Sequence, residues 1–310
     1  MAAVGIFWIG VATCFAEWPF GSPSPGASAT PFAGFGDEAK SGNADVALVE
    51  KPFDQLSNQK LDDTGRKALA IRPQAWKHAE TENFVLHYRR LTDATRVARE
   101  VEYDLKFVAA TLGATKQQYA GKSHVFIFQD ANEWRTFNSK TDEVQWAVSF
   151  ADGDNLYLNV RDSGGGGPFD STNVAYTATE VIESRLYPNK DWPPWLDSGF
   201  AGYMAGASIA ARKNEPVERE EKNLRNAVMP LDEMQKATDY LKDLAQERQL
   251  SETAEKVVRF LMTELPKERM SKFIDDVLKG RSLKDALLDV YPDKLASYDD
   301  FEKKYEQFGK

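Results

Sequence analysis

The sequence predicts an α+β fold, with strands and helices mixed in its first half and helices alone in its second. Short apolar runs with strand patterning fall between positions 84 and 160, separated by stretches of helical spacing. From position 171 onward the apolar residues recur only at helical spacing. The order is therefore not the regular strand–helix alternation that builds a parallel α/β sheet.

The chain has 310 residues, 42% hydrophobic and 28% charged, enough for one large domain or two small ones with a true core. Lys and Arg number 39 against 48 Asp and Glu, a net charge of −9. No basic cluster with interleaved aromatics occurs, so nucleic acid is not an expected partner. The acidity favours solubility.

Residues 1–16 are expected to be a signal peptide or N-terminal anchor. Ala2 to Ala16 reads AAVGIFWIGVATCFA, too short for a membrane span and suited to the apolar core of an export signal. Cys14 and Ala16 would flank a cleavage site before Glu17, although no Lys or Arg precedes the run. Val11-Ala12-Thr13-Cys14 loosely resembles a bacterial lipobox with an unusual Thr, so lipidation at Cys14 and an uncleaved anchor stay open. The expectation is an exported protein, periplasmic, secreted or membrane-anchored, touching a membrane only through this segment. A buried N-terminal helix is the alternative. Cys14 is the single cysteine, so an intrachain disulfide is impossible.

Residues 17–75 are expected to be a low-complexity linker and an arm. Trp18 to Asn43 is rich in Pro, Gly, Ser and Ala and too poor in core residues to offset ordering entropy. Val46 to Pro73 reads as an extended arm that partly docks, through clusters such as Ala68-Leu69-Ala70-Ile71.

A mixed subdomain is expected over 76–211. Phe84 to Tyr88 reads as a strand. Asp93 can cap a helix with Val97, Val101, Leu105, Val108 and Leu112 as its stripe and Gly113 as its stop. His124 to Phe128 is a second strand. Asp130 and Glu133 form a capping box. Trp146 to Phe150 and Leu156 to Val160 read as a hairpin turning at Asp152 to Asn155. Gly164 to Gly167 lack the Lys-Ser/Thr of a phosphate-binding loop. Ser171 opens a helix whose buried stripe is Val174, Ala178, Val181 and Ile182, and Pro188 ends it. Thr179, Glu180 and Glu183 share another face of that helix. Pro193-Pro194 introduce the next helix.

Arg212 to Arg225 is a charge-dense surface segment, opening a helical subdomain over 212–310. Ser251 is expected to cap a helix stopped by Pro266. Met270 to Leu278 is a helix closed by Gly280. Ser282-x-x-Asp285 opens another, and Tyr298, Phe301 and Tyr305 stripe the last.

From Trp76 to Phe308 the chain resembles the gluzincin peptidases, the thermolysin-like group, and within it the bacterial peptidase MA-like domains. The resemblance rests on the Glu80-Thr81-x-Asn83-Phe84 phrase and on the element order. It rests further on Trp195-Leu196-x-x-Gly199-x-Ala201 after the active helix, and on the run Phe273 to Leu287. It implies a zincin-like mixed sheet with an active-site helix, followed by helices. In that family a His-Glu-x-x-His helix holds zinc and its Glu polarises water. Carried over by position, the first His falls on Thr179, the Glu on Glu180, the second His on Glu183 and the third ligand on Ser198. All three ligand positions are changed, so no zinc and no other cofactor is expected, and Glu180 stands as a vestigial general base. Asp197 is one residue out of phase and is expected to face elsewhere on its helix. The histidines are His78, His87 and His124, and the last two sit in strands before the active helix and are expected in the core or on the surface.

Other chemistries are weaker. Glu180 and Glu183, at i and i+3, could raise one pKa and do acid–base work. Asp63-Thr64-Gly65 and Asp197-Ser198-Gly199 spell the aspartic-protease phrase without its strand-rich context. No Gly-x-Ser-x-Gly occurs. The expectation is a catalytically inactive exported homologue that binds a peptide or protein through its cleft. Thr179, Glu183, Asp197 and Ser198 line that cleft, and Leu156 to Val160 is the edge strand offered to the peptide. A hydrolase using Glu180 and Glu183, or a structural cell-envelope protein, are the alternatives.

Overall fold

The structure is a computed structural model that describes residues 46–308, except 142, 144–146, 161–170, 216, 218–228 and 239–242. The expected export signal, the linker as far as 45 and the Gly164–Gly167 loop lie outside the described residues, as do Trp146 and most of the Arg212–Arg225 segment.

The fold is α+β. Its sheet comprises β1 (Val49–Glu50), β2 (Lys77–Glu80), β3 (Phe84–Tyr88), β4 (Ser123–Phe128), β5 (Ser149–Asp152) and β6 (Asn155–Asn159), in the spatial order β1-β2-β3-β4-β6-β5. The β3–β4 and β4–β6 pairs are parallel and the others antiparallel. The helices are α1 (Asp63–Leu69), α2 (Leu91–Thr111), α3 (Ala131–Asn138), α4 (Ser171–Leu186) and α5 (Pro194–Lys213). After them come α6 (Leu231–Met234), α7 (Leu244–Glu264), α8 (Met270–Leu278), α9 (Leu283–Val290) and α10 (Tyr298–Gln307). No helix among the described residues is long and apolar enough to cross a membrane.

Period-two side-chain alternation gives the sheet two buried faces. Val125, Ile127, Leu156 and Leu158 join the main core with Val174, Ala178, Val181 and Ile182 of α4. Phe126, Phe128 and Tyr157, one residue out of step, form a second aromatic core with Trp76, Trp134, Phe137 and Phe150. The first face carries the large helices. The second is covered by α1, α3 and the arm.

The arm is more regular than its composition suggests. Asp62 accepts the Gly65 amide at 2.5 Å and so caps α1, which places Asp63-Thr64-Gly65 in the first turn of a helix. Val49–Glu50 adds a strand to β2, and Ala68 and Leu56 are buried. Buried Glu80 fastens the arm. It accepts from Lys51 at 2.7 Å, from Lys122 at 3.1 Å and from the Ser57 amide. Burial disfavours its charge, but these partners prevail and hold its pKa down to about 2.

Four local readings change. Helix α2 starts two residues before Asp93, at Leu91, and Asp93 instead accepts from Gln129 Nε2 at 2.5 Å. The third strand is Ser149–Asp152, its turn made at Gly153 with φ +56°. Ser251 lies inside α7, whose cap is Asp243, accepting the Gln246 amide at 2.9 Å. Leu156 to Val160 is not an edge: β6 pairs with β4 on one side and β5 on the other, so the edge strand is β5.

Helices α4 and α5 form the centre of the helical layer. Gly199 explains how α5 lies so close to α7: a Cβ there would sit 2.6 Å from the Ala254 carbonyl oxygen. The glycine of the Trp-Leu-x-x-Gly-x-Ala phrase is thus required by packing.

Candidate functional site

Helix α4 runs against edge strand β5, tied to it by the Thr177 hydroxyl donating to Ser149 Oγ at 2.9 Å. Its other neighbour is α5, opened by Pro193 at the cap and Pro194 at the first turn. Where α4 meets α5, the structure gathers Tyr176, Glu180, Glu183, Asp197 and Ser198, with Glu143 added from the loop before β5.

Thr179 is buried and its hydroxyl donates to the Ala175 carbonyl at 2.8 Å, so it turns back onto its own helix. Glu180 is half-buried. Burial, then Asp197 and Glu143, push its pKa well above the usual carboxylate range. Glu183 is 1% exposed and neither of its oxygens finds a hydrogen-bond donor among the described residues. Burial, then the charge of Asp197 and a contact with its carboxyl, push Glu183 up in the same direction. These statements agree once protonation is considered. Two carboxylates cannot bond to each other, but a carboxylic acid can donate to a carboxylate. The carboxyl of Asp197 thus stands against Glu183, and burial together with that neighbour favours the protonated form of Glu183. Asp197 does not face elsewhere: one residue's rotation on α5 turns it toward α4. Ser198, at the position carried over for the third ligand, is buried, and its Oγ has no conventional partner beyond the approach of the Tyr176 hydroxyl.

Tyr176 and Glu143 were not among the residues expected from sequence. Tyr176 stands four residues before Glu180 on one helical face, a spacing that marks it. Burial, followed by Glu180 and Asp197, raises its hydroxyl well above the ordinary tyrosine range. Glu143 comes from a loop, and no local pattern points to it.

The residues do not fit the zinc that the gluzincin resemblance implies. Thr179's hydroxyl is committed to Ala175, Ser198 offers a second neutral hydroxyl, and only Glu183 could bind strongly. Among the described residues no group of three or more His, Cys, Asp or Glu is arranged to hold a metal ion. The histidines are on the opposite face of the sheet. His124 alternates with Phe126 and Phe128, and His87 stacks on Phe126 with ring centroids 4.5 Å apart. What the α4–α5 cluster can do is hold protons and accept a cation. No protein-family model matches the chain, and no curated protein matches it.

Proposed function

We propose that this chain is a non-catalytic, exported relative of the gluzincin peptidases that holds an extended peptide and does not cleave it. A basic residue of the peptide would lie against Glu180 and Asp197, and its backbone would pair with β5.

One observation carries this reading. Glu180 and Glu183 are buried to differing degrees, and besides burial every group that shifts them is acidic. Buried charge is costly unless it meets an opposite charge. In the free protein protons fill that role. A Lys or Arg side chain would replace them and leave the carboxylates ionised. Strand β5 lies beside α4 with no further strand on its outer side among the described residues. Export rests on the Ala2–Ala16 run.

Calorimetric titration with paired peptides that differ only by Lys against norleucine tests this. The Lys peptide should bind at least about tenfold more tightly, and Glu180→Gln should remove most of the difference. Equal affinities would refute it.

A second reading is favoured by the facing carboxyls of Glu183 and Asp197. A carboxylic acid beside a carboxylate is the arrangement used for acid–base hydrolysis. In that case Glu180→Gln abolishes a hydrolytic activity of the purified protein, and an unchanged activity removes this reading.

A further inference from the structure

The other face of the sheet carries a second constellation. All three histidines of the chain lie in one row across β2, β3 and β4. His78 Nδ1 meets His87 Nδ1 at 2.8 Å, and His87 Nε2 meets His124 Nδ1 at 2.9 Å. His87 and His124 are buried and His78 is half-buried. His78 also lines two adjoining hollows between the arm and β2, of about 280 and 380 Å³. These volumes sit at the lower end of the range for small-molecule sites, roughly 300–1,000 Å³.

The walls of the smaller hollow are apolar, from Phe53, Leu61, Leu69 and Trp76, with Arg66 and His78 as its polar groups. Trp76 offers no donor to a guest, since its Nε1 donates to the Ile71 carbonyl at 3.0 Å. The larger hollow shares Trp76 and His78 and adds Lys77 and Lys51, the latter bound to Glu80 at 2.7 Å. Its one carboxylate, Glu50, accepts the Tyr88 hydroxyl at 2.6 Å. Arg66 pairs with Asp63 and donates to the Leu61 carbonyl at 2.5 Å, but the pair lies between largely exposed side chains and is worth little. Aromatic walls with a cationic rim suit a small aromatic carboxylate.

We propose that these hollows bind a small aromatic carboxylate, and that the histidine row carries its arrival to His124. Each contact in the row holds one proton, so neutral histidines have two arrangements, and all three change tautomer together. In one, His78 donates through Nδ1 and His124 carries its proton on Nε2, a buried atom with no hydrogen-bond partner among the described residues. In the other, His78 carries its proton on Nε2, the ring's remaining polar atom, and His124 Nε2 is bare. A carboxylate that accepts from His78 Nε2 selects the second. The change takes one proton up at His78 Nε2, moves one across each contact and releases one at His124 Nε2, so the row stays neutral. Burial disfavours a charged ring at the His124 end, against the pull of Asp154 and Asp62, which keeps the row neutral.

With three histidines, nitrogen NMR of the full chain labelled in its imidazole rings reads every tautomer. Phenylacetate is titrated to about 10 mM, a range that detects millimolar affinity, with phenylacetamide and phenethylamine alongside. Phenylacetate should shift His78 Nε2 toward the protonated position and His124 Nε2 toward the bare one, saturably. Arg66→Gln, at an exposed site, should weaken binding about tenfold or more. An unmoved His78, an equal response to the amine or amide, or unchanged affinity in Arg66→Gln would overturn the site. A His78 response without one at His124 would overturn the relay.

Discussion

Glu183 and Asp197 meet carboxyl to carboxyl where α4 packs on α5, and burial with that neighbour favours the protonated form of Glu183. Glu183 has no ordinary donor for either oxygen, and the group facing it is another carboxyl. The same helical face carries Tyr176 and Glu180, both half-buried, so a cluster of acidic groups whose charged forms are disfavoured stands where the resemblance implies a zinc ion.

Glu183→Gln is expected to stabilise the protein at pH 7. The folded pKa of Glu183 lies above its unfolded value. Its contribution is then fully present below the unfolded carboxylate range and is lost as pH rises toward the folded value. Glutamine keeps the shape without that loss. The gain should be on the order of 1–3 kcal/mol, the cost of a poorly satisfied buried polar group, and should vanish near pH 4. Thermal unfolding at both pH values measures it, and a loss of stability at pH 7 would contradict a raised pKa at Glu183.

Gly199→Ala should destabilise by about 1–3 kcal/mol, the usual penalty for overpacking. The clash is with backbone, the Ala254 carbonyl, which cannot turn aside as a flexible side chain would. Denaturant titration checks this, with exposed Gly206→Ala as the reference, since a Cβ there meets nothing within 4 Å.

Acid should weaken the arm side of the sheet first. Burial pushes His87 well below its ordinary pKa, helped by His124 and His78, and burial lowers the other two as well. For a depressed histidine the unfolded chain binds protons more readily, so stability falls as pH drops below about 6.5. Glu80 adds to this only lower, as pH falls from the ordinary carboxylate range toward about 2. Hydrogen exchange at pH 7 and 5 should show protection lost in β2 and β3 before α7. Uniform loss would count against a local origin.

The α+β class, the helix bearing Glu180 and the helices after Pro266 were legible because apolar spacing and caps are local signals. Ser282 caps α9 as its sequence suggests, accepting the Asp285 amide at 3.1 Å. What the sequence hid is set by distant partners. The β5–β6 hairpin was readable, but which of its strands meets β4 depends on long-range pairing. Ser251 resembled a cap because α7 extends upstream through a polar stretch that has little apolar period. Asp197 looked out of phase only against a pattern built for a metal, and the histidine row crosses three strands with no sequence spacing to reveal it.

If a basic side chain replaces protons on the α4–α5 cluster, peptide binding must release protons. Affinity should then rise from pH 5 to pH 8, and calorimetry in buffers of different ionisation enthalpy should register the release. An affinity that is flat with pH would separate peptide binding from Glu180 and Glu183.

The most direct measurement incubates the full chain with a mixed peptide library, isolates the protein by gel filtration and identifies what co-elutes by mass spectrometry. A subset enriched in Lys and Arg, intact in length, is the predicted result. Cleaved peptides, or no enrichment over the input library, would contradict a binding protein that does not cut.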